Sequence, residues 1–173
     1  MIITIALAIY STECGYAAEI SEYQIKAAYI YNFTKFIHWP DNAFRDQTAP
    51  LVVGVLGEND FDGALIPLSS KTVNSRAIQI KFFRTLEDVQ ECHILYISNS
   101  DTVETDSILK ELKFRPIVTI GDGEQFAFRG GVIQFVMIRS RLRFILNLAN
   151  AKINQIQIDA QLLSLATEVL YDK

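Results

Sequence analysis

Side chains that carry chemistry are scarce in this sequence. Its 173 residues include two histidines, His38 and His93, and two cysteines, Cys14 and Cys92. Neither histidine is joined by another strong ligand at i+3 or i+4 on a clear helix face, so no metal centre is expected. Cys92 and His93 are neighbours, yet neighbours in a strand point to opposite faces, which would part the thiol from the imidazole. The sequence also lacks the G-x-S-x-G elbow, the G-x-x-x-x-G-K-[ST] loop and the G-x-G-x-x-G fingerprint. No catalytic residue and no cofactor is therefore expected, and the chain is not read as an enzyme. Positive charge is short too: 16 Lys and Arg stand against 20 Asp and Glu, for a net charge of −4, with no run of five like charges. Nucleic acid, which binds basic surfaces, is not an expected partner.

No apolar run reaches the ~20 residues that span a bilayer. The opening one, residues 2–10, is nine residues long and broken only by Thr4. That length suits the apolar core of an export signal. Residues 11–18 follow as a small, polar stretch, and Gly15-Tyr16-Ala17 puts small residues at the two positions that select cleavage. Residues 1–18 are read as a signal peptide cleaved after Ala17 or Ala18, and residues 19–173 as one domain. A buried first strand is the other reading, because no Lys or Arg precedes Lys26 to supply the basic opening of such signals. Cleavage would leave Cys92 alone, without a partner for an internal disulfide.

What is present in abundance is apolar surface: half of the residues are hydrophobic, enough for a sizeable core. Periodicity predicts a helix over residues 22–37, with Ile25, Tyr29, Phe33, Phe36 and Ile37 on one face and Ser21 as N-cap. Pro40 limits its end. Short apolar runs follow: LVVGVLG (51–57), AIQIKFF (77–83), CHILYIS (92–98) and PIVTI (116–120) read as strands. Helices are predicted between them over residues 60–68, 86–91 and 102–112. Runs apolar on both faces suit a parallel sheet. VIQFVMI (132–138) and RLRFILNL (141–148) are separated by Arg139-Ser140, which predicts an antiparallel hairpin. Asp159 then caps a final helix whose inward residues are Leu162, Leu163, Ala166, Val169 and Leu170. The expected fold is α/β: a mainly parallel sheet with flanking helices and a C-terminal antiparallel hairpin.

Three polar features compete with plain packing. Strand ends carry Glu58 and Asp60, Asp101, and Asp122, and open α/β sheets bind ligands at the carboxyl ends of their strands. These carboxylates form a possible ligand pocket, although Asn, Asp and Gly in such loops also turn the chain and cap helices. Lys26 projects from the apolar face of the first helix, either to snorkel at its rim or to pair with a carboxylate beneath. Arg141, Arg143 and Asn147 alternate along one strand face, as a solvated surface or as a recognition stripe. With Gln161 and Glu168 of the final helix they are the candidate partner-binding residues.

KAAYIYNFTKFIHWP (residues 26–40), CHILYIS (92–98), GGVIQF with RLRFILNLANA (130–151) and IQIDAQLLSLA (156–166) together resemble the YfiR family in content and order. The resemblance implies a periplasmic α/β protein, often dimeric, that works by gripping a membrane signalling protein. The implied partner is the periplasmic sensor region of an inner-membrane diguanylate cyclase, held inactive so that cyclic-di-GMP falls and biofilm formation is restrained. Other members are expected to serve membrane histidine kinases. Redox-regulated members pair a first-strand cysteine with one at the position of Cys92. Here the first strand offers Val52, Val53, Gly54 and Val55, so that bridge is not expected. Ile145 also replaces the acidic residue that usually follows Arg-Phe in that strand, which bears on partner specificity. Against this interaction protein stand a small-ligand-binding module using the acidic strand ends and, with least support, an enzyme.

Overall fold

The computed structural model describes residues 21–98 and 102–171. The proposed signal peptide and Asp101 lie outside them. In chain order the elements are α1 (Glu22–Phe33), β1 (Ile37–His38), β2 (Leu51–Gly57), β3 (Thr72–Val73), β4 (Arg76–Phe83), β5 (Ile94–Ser98), α2 (Thr102–Glu111), β6 (Val118–Gly121), β7 (Ile133–Ile138), β8 (Arg141–Asn147), α3 (Leu148–Ile153), β9 (Gln157–Ile158), α4 (Ala160–Leu165) and β10 (Glu168–Leu170). The main sheet has the order β10-β8-β7-β6-β5-β2-β4-β3, and β1 pairs with β9 in a second, two-stranded sheet.

The expected fold class is the one observed. Strands β4, β2, β5, β6 and β7 run parallel, and β8 turns back against β7. Numbered among themselves, the parallel strands follow the order 2-1-3-4-5, so the winding reverses between β2 and β5. β2 and β5 sit centrally and are buried nearly throughout, which is why their sequences are apolar without alternation. The β7–β8 turn forms at Arg139 and Ser140 with φ of 49° and 58°. This is the left-handed pair that matches strand twist, adopted without the glycine that usually marks it.

Local expectations fail in instructive places. The first helix stops at Phe33 instead of residue 37; the Thr34 hydroxyl donates to the Tyr31 carbonyl at 2.6 Å, and Ile37 and His38 are drawn into pairing with β9. Residues 60–68 form turns and a short 3-10 segment, with Pro67 near its start, not an α-helix. Residues 86–91 hold one 3-10 turn at Leu86–Asp88. The β3–β4 hairpin, turned through Asn74 and Ser75 at φ 50° and 66°, and α3 were not expected. The final helix is broken: α4 ends when Ala166 turns extended, and Glu168–Leu170 become a strand parallel to β8.

Two apolar clusters fill the two sides of the sheet. The first lies under α1 and runs the width of the sheet, from Val73 and Ile78 through Val53, Tyr96 and Ile120 to Phe135, Phe144 and Leu146. Phe33 is its keystone on α1, with ring centroids 5.0 Å from Phe144, 6.0 Å from Phe135 and 5.8 Å from Tyr29. The second lies under α2 and includes Leu56, Phe83, Leu95, Ile97, Leu109, Leu112 and Phe126. It draws no residue from β7, β8 or β10.

Candidate functional site

The alternation along β8 puts Leu142, Phe144 and Leu146 into the first cluster, so Arg141, Arg143 and Ile145 face the other way. Cross-strand register adds Ile138 opposite Arg141 and Val136 opposite Arg143 on β7, and Glu168 opposite Ile145 on β10. Because the second cluster ends before these strands, no helix among the described residues packs an apolar cluster over this stretch of sheet. Arg141, Arg143 and Glu168 are exposed, Ile138 is 40% exposed, and Val136 and Ile145 are half-buried. Neither arginine makes an ion pair among the described residues.

Asn147 shares their face by register but not their surroundings. It is buried, its amide donates to the Ala127 carbonyl at 2.7 Å, and its carbonyl oxygen caps α3 by accepting from Asn150 N–H. Gln134 accepts from Ala127 N–H at 3.1 Å beside it. The segment before β7 thus covers this end of the sheet, and Asn147 is a brace within the chain, removed from the exposed stripe. Gln161 is exposed on α4, whereas Glu168 stands on β10 and not on a helix, beside the arginine stripe.

At the carboxyl ends of the parallel strands a cleft of about 960 Å³ opens where the winding reverses. It brings together Glu58, Asp60 and Asp122, with Glu124 and Glu87 nearby and Arg84 as a cation on its wall. Among the described residues, no three His, Cys, Asp or Glu side chains converge as metal ligands.

Asp122 also holds a buried cation from the rim of the cleft. Lys26 is 1% exposed and holds Asp122 at 2.5 Å and Glu22, one turn before it, at 2.7 Å. Of the two expectations for Lys26, the pairing with a carboxylate is the one observed. The Tyr96 hydroxyl donates to Asp122 at 2.9 Å, and the ammonium lies 4.4 Å from the Tyr23 ring centroid. Burial pulls the ammonium pKa down, but hydrogen bonds to Asp122 and Glu22 outweigh it, and the net shift is upward. Burial and the Asp122 charge both raise the Tyr96 phenol. The group stays charged and tied, so it pins α1 to the end of β6. The Glu22–Lys26 spacing of four was visible in the sequence, whereas Tyr96 and Asp122 meet only through the strand order.

Cys92 and His93 point apart, but not by strand alternation: both precede β5, and Cys92 shares a cluster with Leu95 and Ile97 instead of following the phase of Ile94 and Tyr96. The Cys92 thiol lies in the second cluster, donates to the Ile94 carbonyl at 3.0 Å, and has its pKa pushed up by burial to about 12. His93 packs against the opposite side, with Phe44 stacked at 4.2 Å and Trp39 Nε1 donating to its carbonyl. Its Nδ1 accepts from Val52 N–H at 3.0 Å, which assigns the proton to Nε2, 3.0 Å from the Ala43 carbonyl oxygen. Burial lowers its pKa to about 4. It is a neutral clamp between β2 and the loop before it. Facing the thiol is Gly54, where a Cβ would lie 2.9 Å from Sγ and 2.6 Å from the Phe83 ring.

The model of the YfiR/HmsC-like family matches residues 23–167. The chain belongs to that family. YfiR-like proteins are periplasmic regulators of diguanylate cyclase signalling rather than enzymes. No curated relative matches the chain. No helix among the described residues is long and apolar enough to cross a membrane. The YfiR-like blocks of the sequence fall at α1 with β1, at β5, at the β7–β8 hairpin with α3, and at β9 with α4. They thus frame the first cluster and the hairpin, and they leave the acidic cleft largely to residues between them.

Proposed function

We propose that this YfiR-like chain is exported, loses residues 1–18, and binds the periplasmic sensor region of an inner-membrane diguanylate cyclase, holding it inactive. The observation that carries this reading is the uncovered face of β7 and β8 with Glu168 of β10 at its edge, where Arg141 and Arg143 stand exposed and, among the described residues, without an ion pair, beside Val136, Ile138 and Ile145. Arginine suits protein recognition because its fork holds carboxylates bidentately and sheds water easily. The test is co-production with the cyclase and measurement of cyclic-di-GMP. The wild-type chain lowers the nucleotide, and Arg141→Ala with Arg143→Ala restores it while the protein stays folded. A nucleotide level indifferent to the wild-type chain overturns the reading.

The cleft favours a second reading, a small-ligand sensor subunit for a membrane histidine kinase. Its support is the position of Glu58, Asp60 and Asp122 at the strand ends where the winding reverses.

A further inference from the structure

We propose that the uncovered face of β10, β8 and β7 is a seat for one amphipathic helix of the partner, carrying carboxylates along one edge of its apolar stripe. This rests on the proposed function and goes beyond it by naming what sits on the surface. The rest of the same sheet side is roofed by α2, with Leu109 and Leu112 in the cluster beneath it. That roof ends at Phe126, and beyond the segment that covers Gln134 and Asn147 the next strands present Val136, Ile138 and Ile145 with no apolar cluster above them among the described residues. A sheet side covered along part of its width and bare along the rest has the shape of a missing helix.

Size agrees. The β7–β8 ribbon from Arg141 to Ile145 is five residues, or roughly 17 Å, long and two strands, or about 10 Å, wide, and β10 widens it only at its Ile145 end. That accepts about three turns of a helix about 10 Å across. The area falls short of the ~800 Å² per partner of a standard interface, so the helix forms the centre of the contact and not all of it.

Charge selects the occupant. The chain is acidic overall, at −4, yet the exposed ionic groups on this face are Arg141, Arg143 and the lone acid Glu168. Arg139 adds a further cation at the hairpin tip. A helix edge bearing Glu or Asp at i and i+4 meets the two arginines, two residues apart along β8. The apolar stripe beside that edge covers Ile138, Val136 and Ile145. A basic or purely apolar helix leaves the arginines desolvated without partners, which is costly.

The test uses the purified chain and the purified periplasmic domain of the membrane cyclase. Hydrogen exchange of the complex is expected to slow at residues 136–145 and 168–170 and in one acidic helix of the cyclase domain. Arg141→Glu with Arg143→Glu is expected to weaken binding at least tenfold, with the melting temperature unchanged, and Lys110→Glu on α2 to leave it unaltered. If the charge reversal does not fold, Arg141→Gln with Arg143→Gln takes its place, with the same direction expected. Binding with protection at Glu58, Asp60 and Asp122, or through an extended segment of the cyclase, overturns the helix seat and leaves the proposed function standing. Undiminished binding of the folded variant does the same. No binding by the wild-type chain removes both.

Discussion

The two sides of the sheet are built differently. Under α1, one apolar cluster runs from β3 to β10 without a break and buries aromatic rings against one another. Under α2, the cluster ends at Phe126, and β7, β8 and β10 turn half-exposed side chains to the outside. The first side is where stability is concentrated. The second divides its length between packing and an open surface, and that is where a partner can be held without disturbing the fold.

The largest effect is expected where the first side is densest. Phe33→Ala removes a ring that is 1% exposed and touches Tyr29, Phe135 and Phe144. It should cost about 3–5 kcal/mol in urea unfolding. A loss under about 1 kcal/mol would mean that the α1 side is no better packed than the other, and the comparison would break.

Acid probes the same side at its margin. Unfolded His93 titrates near 6.5 and folded His93 near about 4, so between those values only the unfolded chain takes up the proton. Stability should be full above pH 6.5, fall as pH drops towards 4 and level off below it. The loss attributable to this group is about 3 kcal/mol. Thermal melts of the wild type and His93→Gln across that window check it; the variant should lose this part of the slope.

A smaller effect is expected beneath α2. Gly54→Ala would set a methyl 2.6 Å from the Phe83 ring and 2.9 Å from the Cys92 sulfur. Overpacking of this kind costs about 1–3 kcal/mol. A melting temperature that does not fall would show that the second cluster yields more readily than its geometry says.

Least change is expected on the open face. Arg141→Ala with Arg143→Ala should alter stability by less than about 0.5 kcal/mol, because both side chains are exposed and neither makes an ion pair among the described residues. The same double variant should lose the partner. That contrast, stability kept and binding lost, sharpens the division between the two sides more than any single melt.

Much of this was legible in the residues. LVVGVLG and CHILYIS announce buried parallel strands because nothing polar interrupts them. The hairpin at 139–140 follows from two alternating runs two residues apart. The end of the chain was misread because Leu162, Leu163, Ala166, Val169 and Leu170 satisfy a helical face on paper. The parallel pairing of Glu168–Leu170 with β8 overrides that local pattern. Asn147 was placed on the stripe because alternation tells which face a side chain takes, but not what lies over it. The segment that buries it arrives from residues 123–131, whose position depends on strand order. Lys26 and its carboxylates show the same limit: Glu22 is one turn away in sequence, whereas Asp122 is 96 residues away.

The crowding at Gly54 limits what can replace it. Any side chain at position 54 must share space with the Phe83 ring. A cysteine there, which would stand opposite Cys92, cannot be accommodated while that ring keeps its place. A thiol pair across these strands therefore needs the Phe83 ring to move aside or position 83 to shrink, and either change loosens the cluster that Phe83 fills before a bond can repay the loss.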